Sequence, residues 1–456
     1  MFKTLHLTNS WSETSGGIAT FYRALMDAAT RRQQPIRLVV PSDSYRVEEF
    51  SDWARIYHIK ARRAPLNSSY RLIYPPSFLY PKSIIQEVIN TERPQLVEVC
   101  DKYNLNYCAA LLRIGLLGSV DYRPTVVGLT CERMDDNVAT YLGSSAAGRA
   151  LTRFYMRWIY FPFFDHHIVI SQRTSEELRQ ASTGHPITRG VFLRPMGVDA
   201  STFSPGRRNA GYRRELLARH GKTEACKLLV YVGRLAPEKN LGLLIDTMRR
   251  LSRQPEETLL LLVGDGMERA ALEHAAQGEL SGKVAFMGFM KDREALADLL
   301  ANCDLFLHSN PNEPFGIAPL EAMASGLPLV APNSGGVTEY GDSTNSALVD
   351  PTAESFAYAA IRLLRDPHLY DCKSEGAVAT AARFAWDNVA NSYLDLYEKI
   401  HEATSGTISL AEAGPLYTSQ PPSKVAGGLN RSIASFAQAV FRAYVRVRTT
   451  VGSQRA

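Results

Sequence analysis

The sequence contains no run of 18 apolar residues, the length a helix needs to cross a bilayer, so it predicts no spanning helix. Its first residues, MFKTLHLTNS, show no basic stretch followed by an apolar one, and no signal peptide is expected. The six cysteines are Cys100, Cys108, Cys131, Cys226, Cys303 and Cys372. No two have CxxC spacing, and none joins histidines in a zinc-like cluster. Most lie inside apolar runs and are expected as reduced core thiols, which points to a reducing compartment. Neither charge sign dominates. Lys and Arg number 51 against 46 Asp and Glu, a net +5. That is too weak to indicate nucleic acid, but it suits an anionic substrate or an anionic membrane surface. A GxGxxG fingerprint is also missing after the first strand, which argues against an ordinary dinucleotide-binding domain.

What is present is alternation. Short β-rich runs such as Thr4–Leu7, Ile36–Val40, Leu96–Val99 and Thr125–Leu129 alternate with helical patterns such as Gly17–Thr30. The series restarts with Lys227–Val232, Leu259–Val263, Val284–Met287 and Asp304–Leu307. Such alternation predicts an α/β protein with parallel sheets covered on both faces, here two doubly wound, Rossmann-like domains. The 456 residues fit two domains. The expected division is 1–203, 204–385 and a tail 403–456, with a helix over 386–402 added to the first domain. The turn-rich, basic stretch Phe203–Lys222 reads as the linker. Residues 403–428 read as a flexible, polar linker. Beyond it, Leu429, Ile433, Phe436, Val440, Phe441, Tyr444 and Val447 recur at helical spacing among Arg431, Arg442, Arg446 and Arg448. That pattern suits an interfacial or docking helix. Arg149–Phe164 reads as a buried helix with a basic rim, with a lipid-facing surface as the rival.

Three motifs carry chemistry. In Asn312–Glu321, Glu313 follows a strand and a short loop. Gly316 permits close backbone approach, and the helix it opens offers free N–H groups to a phosphate. Glu321 lies about a turn into that helix. One carboxylate can accept from sugar hydroxyls, the other can hold a ribose diol. In Gly233–Lys239, the tight turn at Gly233 follows the first strand of the second domain. Arg234 can pair bidentately with a diphosphate, and Lys239 adds a compact charge. In Ser15–Thr20, Gly16 and Gly17 open the first helix and would bring N–H groups toward a phosphate or an acceptor.

On these residues the chain resembles the retaining glycosyltransferases of the GT-B fold, family four. The resemblance spans roughly residues 1–402. It also rests on Met196–Asp199, Phe203–Pro205, Val263–Gly266 and Ala322–Pro328. It implies two Rossmann-like domains facing across a cleft, with a C-terminal helix crossing back to the first. It implies that Arg234 and Lys239 hold the donor diphosphate, Glu313 faces the transferred sugar and Glu321 the ribose. Gly233, Gly264, Phe315, Gly316 and Ile317 would line the donor pocket, and Gly17 would approach the distal phosphate. Gly16, Cys131, Glu132 and Arg133 would lie on the acceptor side. Cys131 occupies the place where many members carry a histidine, so Glu132, Arg133 or Asp135 would replace that contact, or the acceptor differs.

The expected function is transfer of a hexose from GDP-mannose or a UDP-hexose, with retention, to a lipid-linked or cell-envelope glycan. The setting would be the cytoplasm, peripheral at the inner membrane face. No metal, cofactor or nucleic acid is expected. A nucleotide-sugar epimerase of the same fold and a non-catalytic nucleotide-sugar scaffold are the rival readings.

Overall fold

A computed structural model describes residues 1–11, 17–64, 71–142, 146–185 and 189–419. The chain divides into two compact units, Met1–Arg194 with Tyr393 onward, and Pro195–Ser392.

Unit one is built on a nine-stranded sheet. Its order is Tyr417–Thr418, Gly190–Leu193, His166–Val169, Thr125–Thr130, Leu96–Cys100, Thr4–Thr8, Ile36–Ser42, Ala54–Lys60, Arg46–Glu49. All neighbours are parallel except the two outermost pairs. Strands Thr4–Thr8 and Leu96–Cys100 are buried along their whole length, covered on both faces, and their polar His6 and Glu98 are hydrogen-bonded to each other at 3.0 Å. Unit two has six parallel strands in the order Val284–Gly288, Thr258–Val263, Lys227–Val232, Leu305–Leu307, Leu329–Pro332, Ser346–Val349. Numbered along the chain, that is 3-2-1-4-5-6. The order reverses between the first strand and Leu305–Leu307, and the crevice outside the carboxyl ends of those two strands is where such sheets bind ligands. The corresponding reversal in unit one lies between Thr4–Thr8 and Leu96–Cys100.

Three expectations about organisation differ from the structure. The division falls at Arg194/Pro195 rather than 203/204. Val198 ties the intervening segment to unit two, donating to the Phe384 carbonyl at 2.8 Å and accepting from Trp386 N–H at 3.0 Å. The basic stretch over 203–222 is not a linker. It forms the helix Ala210–Arg219, and its arginines are ion-paired, Arg207 to Asp298 and Arg213 to Asp304, both at 2.7 Å. The polar tail also begins later than composition suggests. Helix Trp386–Ser405 starts in unit two and ends in unit one. Tyr417–Thr418 then caps the sheet edge, pairing antiparallel with Gly190–Leu193. The Arg179 guanidinium lies 4.3 Å over the Tyr417 ring. An edge strand exposes unpaired N–H and C=O groups, and satisfying them outweighs the polar composition of the covering segment. The amphipathic pattern beyond residue 428 lies outside the described residues.

The 149–164 stretch is buried along one face and towards its end, as the buried-helix reading expects, and exposed elsewhere. Met156, Tyr160, Phe161 and Phe164 are core residues, whereas Leu151 and Phe154 are exposed.

Candidate functional site

The crevice of unit two is assembled by two loops. The first leaves strand Lys227–Val232 at Gly233. A Cβ there would lie 2.5 Å from the Tyr231 hydroxyl, and Tyr231 in turn donates to the Arg234 carbonyl at 3.3 Å. Gly264, at φ +139°, lies against this loop, and a Cβ on it would meet the Gly233 carbonyl oxygen at 1.8 Å. Backbone crossing alone therefore requires that glycine. The turn Pro237–Lys239 ends on Asn240 in the left-handed region. Asn240 donates to the Ser309 carbonyl at 3.3 Å and Ser309 donates to the Lys239 carbonyl at 2.6 Å, stitching the first loop to the second.

The second loop leaves strand Leu305–Leu307 at His308. It brings Glu313 to Lys239, with Nζ 2.8 Å from Oε2. Asn310 donates to the same oxygen at 3.0 Å. His308 Nε2 stands 3.8 Å from it and has no hydrogen-bond partner among the described residues. Glu313 is only 9% exposed. Burial by itself would raise its pKa, but Lys239, His308 and Asn310 together hold it down at about 2. Burial lowers His308 to about 4, so it is a neutral imidazole at pH 7.

Beyond Glu313 the chain turns at Gly316, φ +91°, into helix Ile317–Ala324. Phe315 is buried edge-on to Tyr340, ring centroids 5.4 Å apart, and the Tyr340 hydroxyl donates to the Gly316 carbonyl at 2.6 Å. Gly336 N–H donates to the Glu313 carbonyl at 2.6 Å. Main chain on both sides of Glu313 is thus fixed, which is what precise presentation of a carboxylate requires. The helix start leaves N–H groups and the positive end of the dipole toward the crevice end of the sheet.

Not every expected residue joins this cluster. Arg234 pairs with Glu238 at 2.7 Å. Glu321 is buried and pairs with Arg293 at 2.6 Å; burial raises its pKa and the guanidinium opposes that. Arg293 also lies 4.7 Å over the Phe203 ring. His308, Asn310 and Arg293 are absent from the sequence reading. His308 and Asn310 had a visible signal, since each follows an apolar strand at its carboxyl end.

In unit one, Gly17 is the first residue of helix Gly17–Arg31, and Gly16 lies outside the described residues. Asn9 donates to Asp101 at 2.9 Å across the strand reversal. Asp101 Oδ1 accepts the N–H groups of Tyr103, Asn104 and Leu105 at 2.9, 2.6 and 2.9 Å, capping the next helix. Lys102 is buried, bonded to Glu177 at 2.5 Å and to the Glu132 carbonyl at 2.6 Å. Glu177 also accepts from the Met134 and Asp135 N–H groups at 2.8 and 3.1 Å, fixing the start of helix Met134–Leu142. Arg133 is engaged by Asp135 through two bonds, at 2.9 and 2.5 Å. Cys131 Sγ lies 3.7 Å from Cys100 Sγ. That contact, burial and nearby Glu98 push its thiol well up, so it is no thiolate at neutral pH. Burial also raises the Glu132 carboxyl, with Lys102 opposing. Among the described residues no cluster of three His, Cys, Asp or Glu side chains is placed to hold a metal.

Residues 213–379 match the model of the family described as glycosyl transferases group 1. A GDP-mannose-dependent alpha-(1-6)-phosphatidylinositol dimannoside mannosyltransferase of Mycobacterium tuberculosis is 28% identical over 392 residues, 86% of this chain and 95% of that protein. Mannosylfructose-phosphate synthase of Agrobacterium fabrum is 33% identical over 222 residues, 46% of this chain and 47% of that protein. Among solved structures, sucrose-phosphate synthase from Thermosynechococcus elongatus superposes with a TM-score of 0.68 at 20% identity, covering 88% of this chain and all of that one.

Proposed function

We propose, for a chain whose residues 213–379 belong to the glycosyl transferases group 1 family and whose fold is GT-B, that it transfers mannose from GDP-mannose to a lipid-linked glycan with retention of configuration. The protein is a glycosyltransferase; donor, acceptor and stereochemistry are this proposal. Support for the donor comes from the mycobacterial relative, which matches along most of both chains.

The observation that carries the mechanism is the Lys239–Glu313 pair at the strand reversal. A diphosphate entering beside the Ile317–Ala324 helix start competes for Lys239. The ammonium turns to the phosphate, and Arg234 turns to it from Glu238. Charge developing on the leaving nucleoside diphosphate is met by both cations, which makes no demand for a metal or cofactor. Glu313, released by Lys239, stays fixed by Asn310 and by its clamped main chain. Its oxygens then accept from hydroxyls of the sugar being transferred. Glu321 addresses the ribose. Retention follows if the acceptor attacks on the face that the diphosphate leaves, with a phosphate oxygen taking the acceptor proton. Cys131, protonated at neutral pH, contributes bulk and no charge on the acceptor side.

The proposed setting is the cytoplasmic face of a membrane, where a nucleotide sugar would meet a lipid-linked acceptor. The test incubates purified protein with GDP-mannose, UDP-glucose or UDP-galactose, alone and with mannosylated phosphatidylinositol. Products are read by mass spectrometry, and the new anomeric centre by NMR. Release of GDP with an α-linked product supports the reading. Turnover of UDP-hexoses alone replaces the donor, and a β-linked product rejects retention.

A further inference from the structure

Helix Ala146–Tyr155, continued by Met156–Tyr160, carries an apolar stripe whose large side chains Leu151 and Phe154 are exposed among the described residues, while Trp158 is half-buried beside His185. Ala147, Ala150, Leu151, Phe154 and Trp158 recur at helical spacing. Leu151 is 69% exposed and Phe154 51%, large apolar groups left in water one turn apart. Arg149 and Arg153 are exposed beside them. Arg157 donates to the Thr183 carbonyl at 2.5 Å, its guanidinium 5.0 Å over the Trp158 ring. No acidic residue occurs between Ala146 and Tyr160.

The opposite face is bolted to the acceptor side of unit one. Thr152, Met156 and Tyr160 are buried. The Tyr155 hydroxyl donates to the Lys102 carbonyl at 2.7 Å and accepts from Asn106 at 2.7 Å. Lys102 follows strand Leu96–Cys100 at its carboxyl end. The stripe therefore rides on the end of the sheet that carries Cys131, Glu132 and Arg133.

We propose that this helix is an interfacial membrane contact, with Leu151, Phe154 and Trp158 entering the headgroup boundary of an anionic bilayer and Arg149 and Arg153 meeting its charges. An apolar stripe rimmed by arginines matches that solvent in both chemistry and charge. A second copy of the chain fits worse, because a two-fold contact through the same patch sets arginine against arginine. The chain's own residues 420–456 fit worse too, since they carry no acidic residue. The contact rests on the lipid-acceptor reading for its purpose, since it would hold the acceptor side of unit one at the surface where such an acceptor resides.

The test is co-sedimentation of the full chain with vesicles of phosphatidylcholine alone and with added phosphatidylglycerol, at low and high salt. Wild type is expected to bind the anionic vesicles and to release with salt. The variant Leu151→Glu/Phe154→Glu is expected to lose about tenfold or more in partitioning, as two charges replace the buried apolar groups. The milder Leu151→Ser/Phe154→Ser covers any folding defect, with thermal melts as the check. Arg149→Ser/Arg153→Ser is expected to bind less and to lose most of its salt dependence. A chain cut after Lys424 is expected to retain the stripe-dependent binding. Variants that partition like wild type, binding indifferent to phosphatidylglycerol, or binding lost entirely with the cut would each overturn the proposal. So would a stripe variant that changes only the oligomeric state. GDP release from GDP-mannose without vesicles separates the two readings. If it is missing in wild type, the donor reading fails while the vesicle result stands.

Discussion

The two strand reversals of this chain share a topology and differ in how their charges are used. In unit one the charges are committed to the loops that carry them. Asp101 caps a helix, Lys102 is closed off by Glu177 and the Glu132 carbonyl, and Arg133 is gripped by Asp135. In unit two the central pair is one that a ligand can exchange. Lys239 keeps a fifth of its side chain exposed, and Arg234 nearly half of its own. A buried pair fixes shape, whereas a pair at the edge of a crevice can trade one anion for another. Under the proposed function, the first crevice does conformational work and the second phosphate chemistry.

The sharpest way to break this contrast is Lys102→Met, which strands a buried carboxylate. It should cost about 3–5 kcal/mol in denaturant unfolding, with GDP affinity unchanged in the folded fraction. A cost under about 1 kcal/mol would mean that the pair behaves as a surface pair and that the contrast is wrong. Glu313→Gln should lower kcat for donor turnover by about 10²–10³, the scale of one preorganised polar contact, with little effect on GDP binding. Full kcat in that variant would remove Glu313 from the sugar.

Lys239→Ala should weaken GDP binding in calorimetry by about 1.5–3 kcal/mol, the scale of a charge-assisted bond, and Arg234→Ala by a similar amount. Unchanged affinity in both would sever unit two from the diphosphate. Acid sharpens the comparison further. Folded His308 titrates near 4, against an ordinary value of 6.5, and Glu313 near 2, against 4.5. In both cases the unfolded chain takes up the proton first as pH falls. Stability from His308 is therefore full above pH 6.5 and lost toward 4, and that from Glu313 is full above 4.5 and lost toward 2. His308→Gln should flatten unfolding against pH between 6.5 and 4, and a slope identical to wild type would place the loss elsewhere. The smallest effect is expected from cutting the chain after Lys424, which removes none of the described residues. Cutting after Ser405 should destabilise unit one measurably, because it uncovers the Gly190–Leu193 edge.

Much of the site was legible because its residues are close in sequence and their types are chemically specific. Glu313, Gly316 and Glu321 are ordered by one loop and one helix, and Gly233, Arg234 and Lys239 by another. Alternation of strands and helices pointed to two sheets with parallel centres, since apolar runs of that length are best buried between two layers of helices. Partners distant in sequence were not legible. Arg293 closes on Glu321, Lys102 on Glu177, and Val198 on Trp386, and no local pattern announces any of them. Arg207 and Arg213 read as linker for the same reason, since their carboxylate partners lie far along the chain. Gly264 stands out in the sequence only through its motif, but it is the crossing of the Gly233 backbone that requires it. Sequence by itself determined which groups could do the chemistry and at which strand ends they would stand. Only the tertiary structure decided which charges are already spent on each other, because pairing depends on distances that folding alone sets.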